Sequence, residues 1–315
     1  MQQFWFIFET VAPVFIIPVL GIFLKKWKII NEQFVTDSSC LVFTVALPSL
    51  IFIKLASNDF SQTFDARQIG YLLSATLFGF AAVWSIASIW IKKGKDLGPF
   101  VQGAYRSNYA IVGLAIVQNI FGDLALAKAS VILAFMMPLY NLLAIIVLTL
   151  PQHRGEETHL GKSLLKIFTN PLILATLASL PFSLLHIALP KVVTQTGNYL
   201  AAMALPVALI GIGGALNLDA IKKASRLAII SSALKVIVTP ALFTYGAILL
   251  GYRNTDLGMM FILFASPTAV ASFVMTKTLG GNCKLAGNIV LISTLTACFT
   301  ITLGLTLLIH LGYIR

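Results

Sequence analysis

The chain has 315 residues, 58% of them apolar and only 10% charged, with a mean hydropathy of +0.92. Soluble domains carry about 25% charged residues, so this composition excludes an ordinary soluble globule and describes a polytopic integral membrane protein. The net charge of +11 does not point to nucleic acid, because Lys and Arg stand in short clusters between apolar runs, the pattern of cytoplasmic loops.

In chain order, the first predicted span runs from about Trp5 to Leu24 and ends at Lys25, Lys26 and Lys28. It lacks a basic leader and a small-residue cleavage site, so it reads as retained. The second, about Phe34 to Ala56, holds Ala46-Leu47-Pro48 at its middle. A polar link with Asp59, Asp65 and Arg67 leads to a third, about Ile69 to Ile91, closed by Lys92, Lys93 and Lys95. The fourth is about Pro99 to Phe121. Gly122-Asp123 turns the chain into a fifth, about Leu126 to Leu150. The polar stretch Gln152 to Lys166 reads as a cytoplasmic linker between a first repeat (1–151) and a second (167–315). Spans at about Ile167 to Leu189, Tyr199 to Leu216, Leu227 to Leu250, Leu257 to Leu279 and Leu285 to Leu311 complete a set of ten.

Counting Lys and Arg loop by loop gives 14 on one side and 5 on the other. The richer side is expected in the cytoplasm, which leaves both termini outside. The expected location is a bacterial-type cytoplasmic (inner) membrane. Cys40, Cys283 and Cys298 are scattered in or beside apolar runs, with no metal-ligand or disulfide spacing, and are expected as small packing residues.

The halves echo one another. Ala46-Leu47-Pro48 recurs as Ala204-Leu205-Pro206, and an offset of 158 residues also carries Pro13 to Pro171 and Asn108 to Ser266. Five spans per half is an odd number, so a duplication inserts its second copy upside down. Such inverted repeats belong to secondary transporters, whose sites lie near the midplane where discontinuous helices meet.

Two spans are interrupted in register. The fourth carries Gly103, Arg106, Asn108, Tyr109 and Gly113, where glycine weakens a helix and Asn satisfies freed backbone groups. The ninth carries Ala265-Ser266-Pro267-Thr268, where proline removes a hydrogen bond and clashes with the preceding turn. Two such breaks are expected to cross near the centre, their half-helix N-termini forming a receptor for a carboxylate. The alternative is a pair of ordinary kinks. Arg106 is either a bidentate carboxylate partner or a side chain snorkelling to headgroups. Lys235 is likewise a substrate counter-charge or a snorkelling residue. Pro48 and Pro206 either widen the helix gap beside the crossover or kink their spans. Asn141 and Asn288 read as hydrogen-bonding glue between helices. Glu9 and Lys54 are expected at the interface.

No Asp or Glu lies deep in a span, so a carboxylate proton relay or sodium cage is not visible. No phosphate-binding G-x-x-x-x-G-K-[ST], His-based metal set or G-x-S-x-G occurs, so neither a catalytic site, a cofactor nor a metal is expected.

In Ala46 to Phe52 (ALPSLIF), Arg106 to Ala115 (RSNYAIVGLA), Ser266 to Met275 (SPTAVASFVM) and the Ser293-Thr294-Leu295 run, the chain resembles the auxin efflux carrier family. That family includes plant PIN carriers and bacterial malonate-transporter-like proteins. The resemblance implies ten helices in an inverted repeat, crossed broken fourth and ninth helices, and substrate bound beside the crossing. By it, Asn108, Gly113 and Pro267 match positions of the crossover motifs. The chain departs from the family at Ala115, where a proline is frequent, and at Ser272, where plant members often have another. Its linker is also far shorter than the loop of the plant carriers. A small organic anion is therefore expected as substrate rather than auxin, held by Arg106, Asn108, Tyr109, Ser266, Pro267, Thr268 and Lys235. Gly103, Gly113, Pro48 and Pro206 would act as crossover or hinge positions. Two alternatives stand beside this: a sodium-coupled organic-anion symporter of the bile-acid-transporter type, and a non-transporting membrane sensor. The other expected partner is the lipid bilayer, and a homodimer stays open.

Overall fold

A computed structural model describes residues 2–58, 63–91, 94–149, 171–216 and 225–315. The predicted linker Gln152 to Lys166, and the loop cations Lys92, Lys93, Lys222 and Lys223, lie outside the described residues. All secondary structure among the described residues is helical apart from a single β-bridge. Among the described residues, seven helices are long and apolar enough to cross a membrane.

Helix α1 spans Gln2–Lys26. Helix α2 (Glu32–Leu41) starts where the Asn31 side chain accepts the Phe34 N–H at 2.8 Å. It passes through a π-helical turn, Val42–Ala46, into α3 (Leu47–Ala56). Pro48 supplies the cause of that turn. It cannot donate to the carbonyl of Thr44, and its ring crowds that carbonyl, so the chain inserts an extra residue to move it aside. Pro206, its sequence counterpart, sits inside an unbroken helix. The paired prolines thus act differently.

Helix α4 (Ala66–Trp90) is capped by Asp65, whose carboxylate accepts the Arg67 and Gln68 N–H groups. Helix α5 (Leu97–Tyr105) ends in an extended residue, Arg106. A π turn at Tyr109–Gly113 then opens the long α6 (Leu114–Thr149). Gly122 interrupts α6 with φ of 78°, a left-handed geometry that glycine adopts without steric cost; the expected turn at Gly122-Asp123 is this kink. Helices α7 (Pro171–Leu184) and α8 (Lys191–Ala215) follow. The α8 helix starts eight residues before the predicted Tyr199, because its first two turns are polar and exposed and so escape a reading based on apolar runs.

Helix α9 (Arg226–Ala233), a π turn at Leu234–Val238 and α10 (Thr239–Leu249) form one stretch, with Pro240 just after its π turn as Pro48 is after the first. Helix α11 (Asn254–Ala265) breaks at Ser266, α12 (Ala271–Thr278) resumes, and α13 (Cys283–His310) closes the chain.

Glycines set how closely three of these helices approach. A Cβ on Gly213 of α8 would collide with the backbone of Pro18 in α1, and Lys25 donates to the Gly214 carbonyl at 2.7 Å. The C-terminal ends of α1 and α8 therefore lie together, so the two run parallel. The α2–α3 stretch runs antiparallel to α8, since Ile53 packs where Gly197 lacks a side chain while Ser38 sits beside Gly211. Bare backbone allows such approaches in membrane helices, where dispersion replaces the hydrophobic drive.

Candidate functional site

The two broken helices meet. Ser107 and Thr268 form an isolated antiparallel β-bridge. The Asn108 N–H donates to the Pro267 carbonyl at 2.7 Å, and the Ala269 N–H to the Arg106 carbonyl at 3.3 Å. A helix break strands carbonyls that water cannot reach, and in hydrocarbon each unpaired group costs several kcal/mol. Here each bridged residue serves the other helix. The Thr268 hydroxyl donates to the Gly103 carbonyl at 2.6 Å, and the Ser107 hydroxyl to the Leu263 carbonyl at 2.6 Å. Lys235 reaches in from the π turn between α9 and α10 and donates to the Phe264 carbonyl. The Thr268 N–H finds the Ser293 hydroxyl at 3.1 Å. All these residues are buried.

Arg106 is 3% exposed, so it does not snorkel. Its guanidinium donates to Asn141 Oδ1 at 2.8 Å and contacts Met275 Sδ at 2.8 Å. None of the ion pairs among the described residues includes it. A buried cation is normally paired with an acid, because removing one partner of such a pair costs about 3–5 kcal/mol. Asn108 adds an unmet donor, since its Nδ2 is buried without a partner among the described residues.

Both residues line a cavity of ≈310 Å³. One wall is Arg106, Ser107, Asn108, Ala110 and Ile111, and the facing wall is Ala269–Ala271, Val274 and Met275. The remainder comes from Ser39, Cys40, Val42 and Phe43, from Met137, and from Ala208, Gly211 and Ile212 of α8. The site is thus an apolar pocket with few convergent polar groups, the usual form of a small-molecule site.

Of the residues the sequence singled out, the structure brings Arg106 and Asn108 to this cavity. Ser266, Pro267 and Thr268 are not among its lining residues. The Ser266 hydroxyl is spent on the Ile262 carbonyl at 2.7 Å and Thr268 on Gly103, while Pro267 contributes its carbonyl to the crossing. Their hydrogen bonds hold the break, and Ala269–Ala271 line the cavity beside them. Lys235, fully buried, is neither snorkelling nor lining; it caps the end of α11. Tyr109, the first residue of the π turn, is buried, is not among the cavity's lining residues, and its hydroxyl has no partner among the described residues. Gly103 and Gly113 are close-contact positions. A Cβ on Gly103 would lie 2.7 Å from Ser231 Oγ and Ile289 Cγ2, and one on Gly113 would run into the Tyr109 ring. Neither Pro48 nor Pro206 lines this cavity. Asn141 acts as the expected interhelical glue, whereas Asn288 Oδ1 is buried without a partner among the described residues. Cys40 departs from the packing role expected of it: it is exposed and lines the cavity.

Crossed, broken helices in an apolar helical bundle, with a cavity beside the break, define the class of membrane transporters built on discontinuous helices. Sequence comparison agrees. The profile of the family described as membrane transport protein matches residues 6–163 and 157–305. The chain belongs to this family, that of the auxin efflux carriers. It is 24% identical over 302 residues to an uncharacterised transporter of Methanothermobacter thermautotrophicus, covering 94% of this chain and 96% of that one. It is 23% identical over 306 residues to another uncharacterised transporter, from Methanocaldococcus jannaschii, with the same coverage of each.

Proposed function

We propose that this membrane transporter carries a small organic anion, bound by its carboxylate to Arg106 and Asn108 in the crossover cavity. The observation that carries the reading is the buried guanidinium of Arg106, which has no acidic partner among the described residues and belongs to a residue lining the cavity beside Asn108. An anion entering the cavity supplies the missing counter-charge, and the planar fork of arginine suits a carboxylate. The remaining lining is apolar and accepts a short hydrocarbon body.

On this reading the protein is a secondary transporter or facilitator of the cytoplasmic membrane, with ten passes in two inverted repeats (1–151 and 167–315) and both termini outside. The antiparallel course of α2–α3 against α8, its counterpart at the 158-residue offset, and the antiparallel meeting of the two breaks support the inversion.

The test is a thermal-stability screen of purified protein against small mono- and dicarboxylates, followed by uptake in proteoliposomes. A ligand at about 100 times its Kd stabilises by about 2.7 kcal/mol. Arg106→Ala is expected to abolish both the stabilisation and the uptake, and Asn108→Ala to weaken both. Transport and stabilisation like wild type in both variants would refute the assignment.

A further inference from the structure

A second cavity, of ≈380 Å³, lies along the same helices. Its lining includes Leu50 and Lys54 of α3, Gln118 and Asn119 of α6, and Asn198 and Leu209 of α8. Each of these stretches also lines the crossover cavity, at its other end: α2–α3 through Phe43, the fourth stretch through Ile111, and α8 through Ala208. Seven residues of helix separate Phe43 from Leu50, about 10 Å at 1.5 Å per residue. Along the chain, the buried Ala46 and Leu47 fall between the two linings on one helix, and Val112, Gly113 and Leu114 on another. On α8 the two linings meet at adjacent residues, Ala208 and Leu209. The partition is therefore thin: one to two helical turns along α2–α3 and the fourth stretch, and none along α8.

The second cavity grades from a buried apolar floor, Leu50 and Leu209, to a polar rim where Asn119 and Asn198 are exposed. Lys54 is the one cation among its lining residues. Its ammonium is 2.7 Å from Asp123, whose side chain is 65% exposed and so a weak, water-screened partner. Gln118 and Asn198 have no side-chain hydrogen bond among the described residues. One cation and two uncommitted carboxamides above an apolar floor repeat the chemistry of Arg106 and Asn108 on the opposite side of the partition.

We propose that this cavity is a second station for the same organic anion. It forms a vestibule on the face that carries the N-terminus, where Lys54 draws in the carboxylate and Gln118 and Asn198 hydrogen-bond to it. The anion passes between vestibule and crossing when the layer of Leu47, Val112 and Leu114 separates. This inference rests on the anion reading above.

The labelling part of its test uses charged thiol reagents and needs no knowledge of the substrate; the uptake part uses a carboxylate found in the stability screen. In a protein lacking its native cysteines, Asn198→Cys, or Ala202→Cys should the first fail to fold, reports on the vestibule. In a second protein Cys40 alone is kept and reports on the crossover cavity. Membrane-impermeant methanethiosulfonates, one anionic and one cationic, are applied to right-side-out and inverted vesicles. The two reporters are expected to react from opposite faces. The anionic-to-cationic rate ratio at the vestibule should fall at least threefold in Lys54→Gln, recover in Lys54→Arg, and not fall in Asp123→Asn. Reaction of both reporters from one face would overturn the proposal. So would a ratio indifferent to Lys54→Gln, or one lowered equally by Asp123→Asn, which would make Lys54 merely a structural partner. Arg106→Gln uptake separates the two readings: if Arg106→Gln abolishes uptake while Lys54 leaves the ratio untouched, the vestibule alone fails. If Arg106→Gln transports normally, the anion reading fails regardless of the labelling.

Discussion

Replacing Thr268 with valine removes one hydroxyl and keeps the shape of the side chain. In the structure that hydroxyl donates at 2.6 Å to the Gly103 carbonyl, and Thr268 is buried. The Gly103 carbonyl lies four residues before Ser107, where the helical ladder has already ended, so an intrahelical donor no longer serves it. Leaving a buried acceptor unpaired costs about 1–3 kcal/mol, and the hydrocarbon surroundings place the loss toward the upper part of that range. Thr268→Val should therefore destabilise the protein by about 2–3 kcal/mol, measured by reversible unfolding in mixed detergent micelles. Thr278→Val is the control: its hydroxyl bonds the Val274 carbonyl within the same helix at an exposed position, and its loss should stay within about 0.5 kcal/mol. Thr268 and Ser107 belong to one bridge, so Ser107→Ala combined with Thr268→Val should depart from additivity by at least about 0.5 kcal/mol. Equal stability of Thr268→Val and Thr278→Val would refute the view that the crossing is held by reciprocal capping.

Three further outcomes are expected. Gly213→Ala pushes a methyl group into the backbone of Pro18; α1 and α8 must separate, and a loss of about 1–3 kcal/mol in the same unfolding assay follows. Gly113→Ala meets the ring of the buried Tyr109, and a similar loss is expected, partly relieved by Tyr109→Leu, which makes room; no relief would argue against the contact. Lys128→Met breaks the pair with Asp256 at 3.0 Å, but both side chains keep some exposure, so the cost should be under about 1 kcal/mol and should shrink further in high salt.

The apolar runs gave the helices because a bilayer leaves the backbone few other choices. Pro267 and Asn108 disclosed the breaks, as residues that end or replace the helical ladder. What the sequence concealed is lateral. Arg106 finds Asn141 and Met275, 35 and 169 residues away, and no local pattern encodes those neighbours. Ser266 and Thr268 read as ligands because they are polar at membrane depth, yet their hydroxyls go to backbone carbonyls: that of Ser266 to Ile262, which the Ser266 N–H already serves, and that of Thr268 to Gly103, which has lost its helical donor. Ala269–Ala271 line the cavity without any chemical signature, since small apolar residues differ from packing only in what they fail to fill. Cys40 was hidden for the same reason. The π turn before Pro48 follows from a known steric rule, but its absence at Pro206 shows that the ring's collision can be resolved in more than one way.

The reciprocal caps also bear on how the chain is made. Gly103 and Thr268 are separated by 165 residues, and a polypeptide emerges from the ribosome at about 5–20 residues per second. For roughly ten seconds or more, the fourth stretch must wait in or near the bilayer with its break unsealed. During that interval the Gly103 carbonyl and the Asn108 N–H need water, lipid headgroups or an insertion factor as surrogate partners. A fragment ending after residue 151 would keep that need permanently. The first half is therefore expected to remain protease-sensitive at Arg106 when made alone, and to become resistant when the second half is supplied as a separate chain.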